Sequence, residues 1–178
     1  MVYKFRVILD AEDDVFRDIA ILDDNTLEDL HNSIVNAFGF DGLEIASFYT
    51  CDELWNQKDE IMLFDTGEVL GEQKVMGDYP LCEILDADTR KIIYVYDFLN
   101  MWTFLIELAA IEEQVAGNTY PETIFSHGTM PLEAPDKDYS DVSSTDFDYE
   151  EDDYDEEDLQ MLDGDESFED YGFEENWN

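Results

Sequence analysis

Positive charge is what this chain lacks most: 8 Lys and Arg stand against 48 Asp and Glu in 178 residues, a formal net charge of -40 at pH 7. That balance disfavours direct nucleic-acid binding, because phosphate contacts supply most of such affinity and would here be repelled before any base was read, and leaves a DNA-associated context open only where a partner neutralises the charge. Cysteine is scarce as well, with Cys51 and Cys82 alone. No two of Cys51, Cys82, His31 and His127 stand at the spacing of zinc ligands, and no disulfide framework is available. No glycine-rich turn precedes a helix, which excludes a phosphate loop and argues against a nucleotide enzyme. The longest apolar stretch, residues 92–111, is broken by Asp97, Asn100 and Glu107 and is too polar for a bilayer span. No basic stretch followed by an apolar run of signal-peptide length opens the sequence. These absences predict a reduced, cytoplasmic protein with no membrane contact, no metal and no cofactor.

What is present divides unevenly. Residues 136–178 hold 20 of the 48 acids and one base, Lys137, whereas residues 1–135 carry 28 acids and 7 bases. Through residue 135 there are enough aliphatic and aromatic side chains for one ordinary core. The expected organisation is a folded domain at 1–135 and an acidic tail at 136–178. Phe147, Tyr149, Tyr154, Leu159, Met161, Leu162, Phe168, Tyr171, Phe173 and Trp177 interrupt the acids of that tail. Charge repulsion predicts that it is disordered when unbound.

Within the domain, residues 2–9 alternate so that Tyr3, Phe5, Val7 and Leu9 share one face and Lys4 and Arg6 the other, a half-buried strand. The acidic loop at 11–14 turns the chain into a second strand at 15–21. At Thr26 the period becomes helical, with Leu27, Leu30, Ile34, Ala37 and Phe38 on one stripe. Thr26 and Asp29 form a capping box, and Gly39 ends the helix. Strands are expected at 45–51 and 61–64, then a short helix with Pro80 at its first position. Two further strands, 91–98 and 101–111, join through a tight connection at Leu99 and Asn100. From 112 to 135, Pro121, Pro131, Pro135, Gly117 and Gly128 punctuate the chain, which reads as an irregular lid over the sheet. The fold class is α+β: a mainly antiparallel sheet of roll or grasp-like type, opening β-β-α, with one main helix packed on it.

The order of motifs resembles the plasmid pRi ORF-3-like family, whose members carry insertion-element passenger and resolvase-like labels. The family pattern runs from an aromatic followed by Arg, through a helix beginning Leu-His and a Gly-Trp turn, to a Tyr-Asp-Phe-Gly-Asp-x-Trp-x-His strand pair. Here the matching residues are Phe16 and Arg17, then Leu30 and His31, then Gly39 and Phe40, then Tyr96, Asp97, Phe98 and Trp102. Gly128, Thr129, Met130 and Pro131 match a late Gly-x-x-Pro. The resemblance covers residues 2–135 and implies an α+β fold and a mobile-element context. The chain departs from the pattern where Leu99 and Asn100 replace Gly-Asp, where Phe104 replaces the His after Trp, and where Glu44 replaces a His after the turn. A polar site built on those histidines would be incomplete. Recombinase chemistry is not supported, since a serine recombinase needs several Arg side chains around its phosphate and this chain has only Arg6, Arg17 and Arg90.

The polar candidates are His31, Asp97 and His127. For His31 the plain expectation is a histidine at the core edge bonded to a backbone carbonyl. For His127 it is an exposed turn residue, with Glu122 as the acid in reach. Asp97 is expected to brace the turn before Trp102 rather than to share a site with Glu107. Tyr94, Tyr96, Phe98, Trp102 and Phe104 alternate as core aromatics do. No catalytic residue is assigned. The sequence points to a non-enzymatic interaction protein whose acidic tail binds a basic protein or cationic surface. The alternative is a small enzyme or ligand-binding domain with a pocket between sheet and lid, which requires two of the three polar candidates to converge.

Overall fold

A computed structural model of the chain describes residues 1–65, 67 and 73–135. By backbone contacts the chain divides into two units, Met1–Lys137 and Asp138–Asn178; the expected acidic, disordered tail at 136–178 lies outside the described residues. Among the described residues seven strands and two α-helices follow in order: β1 Val2–Leu9, β2 Phe16–Leu22, α1 Leu27–Phe38, β3 Ala46–Cys51, β4 Gln57–Met62, α2 Leu81–Ile84, β5 Lys91–Tyr96, β6 Trp102–Glu112 and β7 Glu122–His127. They form one sheet in the order β4-β3-β5-β6-β1-β2-β7, and every strand pair is antiparallel. The architecture is α+β, a mainly antiparallel sheet with one main helix.

Alternation sets the two sheet faces. Tyr3, Phe5, Val7 and Leu9 of β1 are buried with Ile19 and Ile21 of β2, Ile92, Tyr94 and Tyr96 of β5, and Phe104, Ile106 and Leu108 of β6. Onto them α1 lays Leu27, Leu30, Ile34, Val35 and Phe38. Each such side chain contributes about 1.5–3 kcal/mol by leaving water. Thr26 caps the helix as expected: its hydroxyl accepts from Asp29 N–H while Asp29 accepts from Thr26 N–H, an arrangement contributing about 1 kcal/mol. Gly39 closes the helix in the left-handed region at φ 78°, where a side chain would be strained.

Several expectations are corrected. β4 begins at Gln57, four residues before the expected strand at 61–64, and ends at Met62. Its opening residues, Gln-Lys-Asp-Glu, are exposed on a sheet edge, so no alternation of apolar residues announced them. Pro80 is the N-cap of α2, not its first helical residue. The supposed irregular lid at 112–135 contains β7, which pairs with β2 and extends the sheet at its edge. All six β7 residues are exposed, and the register shifts between Asp18 and Ile19, so this strand lacks both a buried face and a regular period.

A smaller cluster occupies the opposite sheet face: Cys51, Ile93 and Val95, with Tyr49, Trp55, Phe98 and Leu105 packed against them. Phe98 thus leaves the aromatic series to which its spacing assigned it. Asp97 takes φ 58°, which interrupts the strand alternation and sends Phe98 to the other side from Tyr94 and Tyr96.

Candidate functional site

Asp97 organises the β5–β6 turn. Its carboxylate accepts from Leu99 N–H at 3.1 Å, from Asn100 N–H at 3.4 Å and from the Asn100 side-chain amide. Its own carbonyl accepts from Asn100 and Met101 N–H. These bonds to the buried carboxylate and to the carbonyl together brace a turn in which Asp97 and Met101 are both left-handed, at φ 58° and 57°, a conformation that costs L-residues about 1–2 kcal/mol. The side chain is a brace for the turn, as the sequence implies. Glu107 faces Lys91, the first residue of β5, and Arg6 of β1. Asp97 lies beyond the other end of β5, so the two carboxylates share no site.

His31 sits deeper than expected. It is 4% exposed, and its Nδ1 is hydrogen-bonded to the Tyr94 hydroxyl at 2.7 Å, so its partner is a side chain of β5 and not a backbone carbonyl. Burial lowers its pKa from 6.5 to about 4, because a charged imidazole in this interior forfeits hydration without a carboxylate in compensation. Burial likewise pushes the Tyr94 hydroxyl up. The pair is neutral at physiological pH and serves to seat α1 on the sheet.

The Tyr96 hydroxyl next door donates to Asp41 Oδ1 at 3.0 Å and accepts from Gly42 N–H at 3.1 Å and Glu44 N–H at 3.4 Å. Phe40 stacks on the Tyr96 ring at 4.5 Å. Leu43 N–H first, and then the Tyr96 hydroxyl, hold the Asp41 carboxyl below its ordinary range. The loop at 40–45 is therefore tied to β5, and Asp41, which sequence reasoning did not single out, is its anchor. Phe104, standing where the resemblance pattern has His, is fully buried against Phe38 and Tyr94; the position is now part of the core.

His127 is the exposed last residue of β7, not a turn residue, and its ring stacks on Phe16 at 5.1 Å. Its carbonyl and that of Gly128 accept from Arg17, which also donates to the carbonyls of Ala37 and Phe16. The Arg17 guanidinium is buried beneath this shell of carbonyls and lies over the Phe38 ring at 4.9 Å. Among the described residues no carboxylate pairs with it, and desolvation lowers its pKa. Ala37 is in the last turn of α1, where the helix dipole favours a cation. Arg17 thereby joins β2, the end of α1 and β7.

The three polar candidates do not converge. His31 is engaged with Tyr94, Asp97 with its own turn, and His127 with Phe16. β7 and β5 are four strand spacings apart in the sheet, on the order of 19 Å. Among the described residues, no group of three or more His, Cys, Asp or Glu is placed to hold a metal ion, and no helix is long and apolar enough to cross a membrane. A surface depression of about 290 Å³ is lined by Asp59, Glu60, Met62, Gln73 and Lys74 and includes none of the candidates.

The sheet, its single main helix and the motif residues distributed between them define an α+β protein of a recognisable kind. The sequence model of the plasmid pRiA4b ORF-3-like protein family matches residues 1–177, and the chain belongs to that family. Among solved structures, a protein of unknown function from Methanosarcina mazei Go1 is similar in fold, with a TM-score of 0.62 at 20% identity over 70% of this chain and 68% of that one. No curated protein matches the chain.

Proposed function

We propose that the chain is a non-enzymatic interaction protein that presents an acidic surface, its tail at 136–178 foremost, to a basic partner. The observation that carries this reading is how the domain's few cations are used. Lys4 pairs with Glu112, Arg6 with Asp18, Lys74 with Asp59 and Lys91 with Glu53. Arg17 and Arg90 donate to backbone carbonyls. Six of the seven bases in residues 1–135 are thus engaged within the domain, against 28 acids. The field outside is negative, and it accelerates encounter with a cationic protein while repelling nucleic acid and anionic lipid.

The test is fluorescence anisotropy with a labelled oligolysine peptide, comparing the full chain with a chain ending at Pro135 whose far-UV dichroism confirms its fold. The full chain is expected to bind with an affinity that falls steeply between about 50 and about 300 mM salt, as screening shortens the range of its field. Removal of the tail is expected to weaken binding at least about tenfold. Binding that ignores salt, or that is equal for the two chains, overturns the reading.

A further inference from the structure

Five of the large apolar side chains that are exposed among the described residues belong to loops at one end of the sheet: Leu43, Ile45, Phe64, Leu99 and Met101. Backbone hydrogen bonds set their loops side by side. Asp97 N–H donates to the Ile45 carbonyl at 2.9 Å, Leu63 N–H to Ala46 at 3.0 Å, and Asp10 N–H to Thr103 at 2.9 Å. These bonds bring loops 40–45, 63–65, 97–101 and 10–14 to the same end. The rim is acidic throughout: loop 10–14 contributes four carboxylates, loop 40–45 Asp41 and Glu44, and loop 63–65 Asp65, while none of the four loops contains a Lys or Arg.

This apolar surface is built, not incidental. Leu99 is 92% exposed and Leu43 82%, yet each stands on a restrained backbone. The Asp97 carboxylate fixes the Leu99 and Asn100 amides, and its main-chain carbonyl accepts from the left-handed Met101. Asp41 holds the Leu43 amide while bonded to Tyr96. A loop that is ordered at a conformational cost and still turns its apolar side chains outward is preorganised for contact, since little freedom remains to be lost on binding. An apolar centre within a charged rim is the layout of a protein-recognition surface.

We infer that this end of the sheet is the docking surface for a basic amphipathic segment of a partner protein, whose apolar side chains seat on Leu43, Ile45, Phe64, Leu99 and Met101 while its Lys or Arg residues meet the acidic rim. The inference rests on the reading of the chain as a receiver of basic partners and adds where the partner's apolar anchors go. Charge selects the occupant: a second copy of this chain would bring like charge to the rim, and an anionic membrane would be repelled by it.

The experiment is a titration of the 15N-labelled full chain with a Leu/Lys amphipathic peptide and, separately, with oligolysine of equal charge. The amphipathic peptide is expected to shift amide resonances of residues 10–14, 41–45 and 98–101 and to bind about tenfold or more tightly than oligolysine. Leu43→Ser combined with Leu99→Ser is expected to weaken the amphipathic peptide about tenfold and to leave oligolysine binding unchanged. Both side chains are outside the core, and the amide spectrum of the double variant reports directly that its domain is folded. Equal affinity for the two peptides, with shifts confined to residues 136–178, overturns the docking surface and leaves the acidic reading standing. If neither peptide binds, both fall.

Discussion

Acidification is expected to weaken the domain through His31. The imidazole has an ordinary pKa of 6.5 and a folded value of about 4. Above pH 6.5 it is neutral in both states and no stability is lost. As the pH falls from 6.5 toward 4, the unfolded chain takes up a proton that the folded chain does not, and stability drops; below 4 both forms are protonated and the loss is complete. Linkage gives about 2 kcal/mol at pH 5 relative to pH 7, and about 3 kcal/mol at the acid limit. The 48 carboxylates also titrate, those held below their ordinary range, such as Asp41, weakening the fold as they protonate and the loss of self-repulsion strengthening it. A difference removes both contributions. His31→Gln keeps a polar group within reach of the Tyr94 hydroxyl but cannot titrate. Urea unfolding of both proteins at pH 7 and pH 5 is expected to show wild type losing about 2 kcal/mol more than the variant over that interval, a relative midpoint shift of about 1 M. Parallel pH profiles for the two proteins would refute the argument, since they would mean that the imidazole is as readily protonated inside the fold as outside it.

Two other substitutions probe how the outer strand is held. A Cβ at Gly128 would lie 2.4 Å from the Asp14 carbonyl oxygen, at a residue with φ 74°, so Gly128→Ala should cost about 2 kcal/mol or more in urea unfolding. Gly117→Ala, with φ 95° and open space around it, is the control and should cost only about 1 kcal/mol. Arg17→Met removes the donors shared by the end of α1 and β7; a loss of about 2 kcal/mol is expected, with amide hydrogen exchange accelerated in β7 more than in β5. Unchanged β7 protection in Arg17→Met would show that the strand is held by its pairing with β2 alone.

The parts of the fold that could be read from residues are those in which burial imposes a period. β1 alternates because one side of it is core, and α1 announces its start through Thr26 and Asp29 and its end through Gly39. β4 and β7 escaped because edge strands bury little: the first half of β4 is polar, and β7 is exposed at every position. Phe98 misled because spacing assumes an uninterrupted strand, and the left-handed Asp97 ends that regularity one residue earlier. The role of Asp97 as a turn brace was legible, being local chemistry over three residues. The partner of His31 was not, since Tyr94 is distant in sequence and no pattern within α1 points to it. Arg17 stood out in the motif order, but its shell of carbonyls comes from α1, β2 and the end of β7, and only the folded chain brings these together. The apolar end of the sheet was invisible for a related reason: its four loops are ordinary one by one.

The position of β1 has a consequence for how the molecule comes to be folded. β1, which precedes the other strands of this sheet in the chain, lies inside it, with β2 on one side and β6 on the other, and its β6 partners are about a hundred residues further along the chain. During synthesis the β1–β2 hairpin waits with both edges bare, that of β1 until residues 102–112 have emerged and that of β2 until residues 122–127 have. Pairings this distant in sequence slow folding and lengthen the interval in which an unpaired strand edge is open to mispairing. In that interval the density of negative charge acts as a kinetic safeguard, keeping one nascent chain from another until the late strands arrive to cover both edges.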